Sequence, residues 1–150
     1  MYKINWKFDN TYSKLSETFR EFVKPTPVHN PKLVIFNHQL AQELNLDFSK
    51  TSDLELSEIF SGNILPQETN TLAQAYAGHQ FGHFTMLGDG RAVLLGEHID
   101  NKKNRYDIQF KGSGRTSFSR GGDGRAALGP MLREYIISEA IHSLNIPTTR

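Results

Sequence analysis

Cysteine does not occur among the 150 residues, which excludes disulfides, thiolate catalysis and cysteine-ligated zinc. Long hydrophobic runs are missing too. No window approaches the ~20 apolar residues that a membrane-spanning helix needs, and the first ten residues, Met1 to Asn10, lack the apolar stretch of a secretory signal. There is no excess of either charge: Lys and Arg total 17 against 16 Asp and Glu, a formal net charge of +1. Bulk attraction to nucleic acid or to an anionic membrane is therefore not expected. With 37% hydrophobic and 22% charged residues, the chain suits a globular domain with a real core, and a cytoplasmic setting is the expectation.

Against this even background one segment stands out. From Lys111 to Arg125 the chain holds five glycines (112, 114, 121, 122, 124), four cations (Lys111, Arg115, Arg120, Arg125) and a single acid, Asp123. Glycines let backbone N–H groups close around an anion and the cations neutralise it, the chemistry of holding a polyphosphate. Tyr106, Ile108 and Phe110 alternate with Asp107, Gln109 and Lys111, the period of a half-buried strand that delivers Lys111 to this loop.

Elsewhere the pattern predicts a short amphipathic helix over 11–23, ended by Pro25 and Pro27, and a strand at Leu33–Phe36. A helix capped by Asn37 carries Leu40, Ala41 and Leu44, and a second, capped by Asp53, stops at Gly62. Gly88-Asp-Gly90 is a turn before an apolar strand at Ala92–Leu95, so that 86–111 reads as antiparallel hairpin strands. Pro130 suits the first position of a helix running to Leu144, whose apolar residues cover most of its circumference and predict burial on more than one side. Glu134 shares a face with Ile137 and Ile141, and a carboxylate so placed wants a cation, for which Lys111 is the best candidate. The fold class expected is α+β: a helical extension over 1–74, then an antiparallel sheet with one long helix packed on it over 75–150.

Each motif also has a plainer reading. Lys111 and Glu134 also fit as a surface lysine and an unrelated acid; the loop between them favours a pair. Gly88-Asp-Gly-Arg91 matches neither a Walker A loop nor a dinucleotide fingerprint. Asp123 suits an Asx-turn as well as a ligand contact. His79 and His83 have helical metal-ligand spacing, but Gly78 and Gly82 argue against a helix and structural roles are expected. Arg115, Phe118 and Arg120 also suit single-stranded RNA, although one short tract in a nearly neutral chain makes a nucleic-acid partner the lesser reading.

A strand lysine, a preceding glycine turn and a glutamate on the next helix are similar in order to the small lobe of a protein kinase. Longer motifs are more specific. Ala77-Gly-His-Gln-Phe-Gly82, Leu87-Gly-Asp-Gly-Arg-Ala92, Asp107-Ile-Gln-Phe-Lys-Gly-Ser-Gly-Arg-Thr116 and Ser119-Arg-Gly-Gly-Asp-Gly-Arg-Ala126, in that order, resemble the selenoprotein O family. The likeness runs from about residue 6 to the last residue. It implies a protein-kinase-like fold that binds ATP in a flipped orientation and transfers AMP to hydroxyl side chains of protein substrates. Lys111 resembles the lysine on the phosphates and Glu134 its partner. Gly88, Gly90 and Arg91 resemble the nucleotide-contacting turn, and Asp123 and Gly124 the family's unusual loop contacts. The resemblance puts the catalytic aspartate and the ligands for Mg²⁺ or Mn²⁺ downstream of Arg150. The expectation is an N-terminal, ATP-binding part that is inactive alone and open to self-association.

Overall fold

A computed structural model describes residues 4–150; the first three residues of the stretch examined for a secretory signal lie outside it. The core is organised around β4 (Ala92–Ile99), whose Val93, Leu94 and Leu95 are almost wholly shielded from solvent. Consecutive residues of a strand point to opposite faces, so β4 is covered on both sides. It pairs antiparallel with β5 (Arg105–Lys111) through the 100–104 loop and meets β2 (Leu72–Gln80) at Leu72↔Leu94. The sheet order is β1-β2-β4-β5, where β1 is Arg20–Phe22, and β3 (His83–Gly88) pairs only with the distal part of β2. Strand β2 spans residues on both sides of the boundary expected at 74/75 and pairs with β1 from the N-terminal region.

The second layer is built from α1 (His38–Glu43) and α2 (Asp53–Phe60). Ala41, Leu44, Leu46, Phe48 and Leu56 form a buried cluster against which Trp6, Leu33, Phe36, Leu40 and Ile108 pack. The Asn37 side chain accepts the Leu40 N–H at 2.9 Å, the expected cap. The cap of α2 is Ser52 rather than Asp53. Its hydroxyl takes the Glu55 N–H while the Glu55 carboxylate takes the Ser52 N–H, a reciprocal arrangement that Asp53, inside the first turn, cannot make. Residues 4–10 are stapled across β4 and β5: Phe8 bridges His98, and Arg105 joins Asp9 (2.6 Å) to the buried Glu97 (3.1 Å). His98 is itself buried, accepting the Lys7 N–H on Nδ1 and so donating through Nε2 to the Leu44 carbonyl.

Several expectations are corrected. The helix predicted over 11–23 is two single 3₁₀ turns, Tyr12–Lys14 and Glu17–Phe19, followed by β1. Glu97 captures the Thr11 hydroxyl and the Tyr12 N–H, Ser16 is extended, and the free edge of β2 draws in Arg20–Phe22. Leu33–Phe36 forms no strand; Leu33 and Phe36 pack on the helical cluster instead. The 86–111 segment is not one run of hairpin strands, because β3 pairs with β2 and not with β4. His79 and His83 are exposed residues of the β2–β3 hairpin, not of a helix.

The long helix α3 (Leu128–Ser143) starts two residues before Pro130, which sits in the first turn where no intrahelical N–H is needed. None of its residues is buried, against the expectation of burial on several sides; Ile136 and Ile137 are 62% and 57% exposed. Tyr135 lines a groove with α1 and β5, and Arg150 ties the chain beyond the helix to Glu139 and to Glu43 of α1.

Candidate functional site

Three segments surround a cavity of about 570 Å³, within the ~300–1,000 Å³ usual for small-molecule sites. The Gly88–Arg91 turn, the end of β5 and the glycine-rich loop enclose it, with the β2–β3 hairpin along one side. Of the residues nominated from sequence, Gly88, Gly90, Arg91, Lys111, Asp123 and Gly124 all line it. Glu134 reaches its rim from α3: the Lys111 ammonium donates to both carboxylate oxygens, at 2.6 and 2.9 Å. The lysine and glutamate side chains are 42% and 54% exposed. The Lys111 hydrogen bond holds the Glu134 carboxyl below the usual glutamate range; desolvation opposes this, and the Lys111 and Arg91 charges reinforce it.

Four cationic side chains (Arg91, Lys111, Arg120, Arg125) and two acidic ones (Asp89, Asp123) line the cavity. Tyr76, Leu87 and Phe118 give it an apolar wall. The combination suits an anionic ligand with a flat apolar part. The cations are not equally free. Arg125 donates to the Thr26 and Pro27 carbonyls, Arg120 lies 5.5 Å from the Phe81 ring centroid, and Arg115 lies outside the cavity lining. Thus the charge left to face a ligand comes chiefly from Arg91 and from Lys111, whose ammonium is shared with Glu134.

The glycine-rich loop uses its glycines differently from the sequence expectation. The N–H groups of Gly112, Gly114 and Gly122 already donate to the carbonyls of Arg91, Gly124 and Ser119. Those of Gly121, Asp123 and Gly124 meet no protein acceptor among the described residues. The loop is cinched at its neck by the Ser113–Arg125 bridge. Gly124 there has φ +70°, and a Cβ on it would collide with the Gly114 backbone carbonyl, so its identity closes the loop whatever else it does. Asp123 makes the Asx-turn, accepting the Arg125 N–H at 2.9 Å. In the facing turn, Cβ atoms on Gly88 and Gly90 would collide with the Phe118 ring and approach its carbonyl oxygen to 2.8 Å.

The sequence pattern did not single out Asp89 or Gln109 as site residues, and it offered Phe118 only for stacking on single-stranded RNA. The Asp89 side chain lies beneath the cavity, accepting the Gln74 N–H at 3.0 Å and the Gln109 amide at 3.1 Å. Burial pushes its carboxyl up, and those two hydrogen bonds oppose the shift. The available signal was the alternation of β5, which puts Gln109 on the face of Lys111. Among the described residues no three His, Asp or Glu side chains converge as a metal-binding set. The resemblance puts the ligands for Mg²⁺ or Mn²⁺ downstream of Arg150.

The Protein nucleotidyltransferase YdiU of Pelagibacter ubique is 67% identical to this chain over 147 residues, and that of Nitrosococcus oceani is 64% identical over 147. That of Anoxybacillus flavithermus is 63% identical over 146. The alignments cover 98%, 98% and 97% of this chain but 30% of each relative, so the chain spans about 30% of their length. A sequence model of the family described as Protein adenylyltransferase SelO matches residues 2–150. The chain, with its Lys111–Glu134 pair at the rim of a cationic cavity, belongs to the SelO family.

Proposed function

We propose that residues 4–150 form the ATP-binding part of a protein adenylyltransferase, the N-terminal portion of a kinase-like catalytic domain. In it 75–150 carry the nucleotide site and 1–74 act as its extension. The observation that carries this reading is the Lys111 ammonium, bonded to both Glu134 oxygens, on a cavity also lined by Gly88, Gly90, Arg91, Asp123 and Gly124. The names of the family and of the relatives, an adenylyltransferase and nucleotidyltransferases, support it.

In adenylyl transfer a protein hydroxyl oxygen bonds to the α-phosphorus, the bond from that phosphorus to the bridging oxygen breaks, pyrophosphate leaves, and the hydroxyl proton passes to a carboxylate base, the aspartate that the resemblance puts downstream of Arg150. Negative charge grows on the leaving pyrophosphate. Lys111 and Arg91 answer that charge, and the braced geometry lets Lys111 do so without reorganising. The apolar wall of Tyr76, Leu87 and Phe118 suits the base or ribose. The substrates are Ser, Thr or Tyr side chains of proteins, with a divalent cation held by residues outside this chain. The 150-residue chain by itself binds ATP weakly and transfers nothing.

The test is labelled ATP supplied to the complete polypeptide. Label on the α-phosphate entering protein, and lost in Lys111→Ala, is the expected result. Entry of γ-label instead would assign an ordinary phosphotransferase. Entry of neither, with ATP binding unaffected by Lys111→Ala, would overturn the proposal.

A further inference from the structure

A turn with glycine at two of its four positions has little rigidity of its own, yet Gly88–Arg91 is tied on every side. The Asp89 N–H donates to the Gln74 carbonyl at 2.9 Å. The Asp89 carbonyl receives the Thr116 hydroxyl at 2.6 Å and the Gly90 carbonyl that of Ser119 at 2.5 Å. The Arg91 carbonyl receives the Gly112 N–H at 2.6 Å. The side chain of Asp89 completes the set. A single oxygen, Oδ2, accepts from both Gln74 of β2 and Gln109 of β5. Both donors are neutral, and among the described residues no cation forms an ion pair with Asp89. The carboxylate therefore serves as a placed acceptor rather than as a charge. Gln109 lies two residues before Lys111 on β5, so both side chains leave the same face of that strand, about 7 Å apart along it.

We propose that Asp89 is a positioning residue: through Gln109 it locks the Gly88–Arg91 turn to the face of β5 that presents Lys111, so that turn and lysine grip one phosphate chain. The inference rests on the nucleotide reading above. It goes further in assigning phosphate placement, rather than base recognition or catalysis, to a residue that acts through its bonds to Gln74 and Gln109.

The experiment is calorimetric binding of ATP, tripolyphosphate and adenosine to the complete polypeptide. The variants are Asp89→Ala, Asp89→Asn and Gln109→Leu, with thermal melts as a folding control. Losing the buried acceptor should weaken ATP and tripolyphosphate about tenfold in Asp89→Ala, leaving adenosine unchanged. Asp89→Asn retains an acceptor oxygen and should stay within about threefold of wild type, with Gln109→Leu in between. Wild-type ATP affinity in Asp89→Ala overturns the proposal. So does an equal loss for adenosine, which marks general loosening, or an Asn variant as weak as the Ala one, which marks a role for charge. Should Asp89→Ala fail to fold, Gln109→Leu with undiminished tripolyphosphate affinity overturns it. Lys111→Ala separates the two levels: ATP affinity lost there but kept in Asp89→Ala removes only the positioning role, whereas no ATP binding by wild type removes the nucleotide reading itself.

Discussion

Glu134 and Lys111 sit 23 positions apart in the chain, and their contact makes a sharp prediction about titration. Glu134 is held below the usual glutamate range chiefly by the Lys111 hydrogen bond. The charged pair is therefore complete above the ordinary glutamate value and is lost only as pH falls through the lowered native one. A carboxyl-carbon NMR titration should give Glu134 a midpoint below that of free glutamate, and Lys111→Met should raise it; an unmoved midpoint would mean that the pair does not persist in solution. Gly124 offers a second test. With φ +70° and the Gly114 carbonyl where a Cβ would stand, Gly124→Ala should destabilise the chain by about 2 kcal/mol or more in urea unfolding. Glycine enrichment was plain in the sequence, but its use was not. Whether a glycine N–H faces a ligand or another carbonyl depends on segments brought together from far away, as Gly112 meeting Arg91 illustrates.

Elements differ in how much of their stability is their own. Helix α2 carries a complete reciprocal cap, so Ser52→Ala should cost about 1 kcal/mol, measured by urea denaturation. Helix α3 behaves oppositely in this chain. Ile137 is largely exposed, and Ile137→Ser should change stability by no more than about 0.5 kcal/mol; a larger loss would mean that the helix is covered in solution. The extents of β5 and α3 were readable to within a few residues because alternation and helical periodicity are local, whereas β4, expected over Ala92–Leu95, runs on to Ile99. The 3₁₀ turns and β1 were not, because Glu97 and the edge of β2, more than fifty residues distant, outbid the local helical preference of 11–23. The apolar circumference of α3 predicted burial, but which faces of a helix are covered depends on the distant segments that pack on it, and Ile136 and Ile137 stay largely exposed.

The whole chain responds to acid through the balance of its carboxylates. Asp9, Asp47, Glu55, Asp100, Glu134 and Glu139 are held below their usual ranges by hydrogen bonds and nearby cations. Burial pushes Asp89 and Asp107 the other way. Groups with lowered values contribute stability that is present above the unfolded carboxylate range and disappears as pH falls through their native values; the two raised groups relieve strain over the same interval. With six against two, the urea midpoint should fall steadily as pH drops below about 5. A midpoint that holds or rises there would show that the two buried aspartates dominate. Sedimentation equilibrium is the matching test of self-association: the exposed Ile136 and Ile137 of α3 and Leu144 at its C-cap, with Phe84 and Met86 of β3, predict a concentration-dependent mass.

Sequence alone determined what depends on neighbours in the chain: the strand alternation that presents Lys111, the Asn37 cap, the glycine-rich loop and the family-specific motifs. Tertiary structure alone decided what depends on closure. It set the pairing of β3 with β2, gave Gly112, Gly114 and Gly124 to backbone packing, turned Arg125 toward the Thr26 and Pro27 carbonyls, and placed the Asp89 carboxylate beneath the cavity. The reason is physical: periodicity reports which side of an element is apolar, whereas the partner of a hydrogen-bonding group is set by which distant backbone comes within about 3 Å of it.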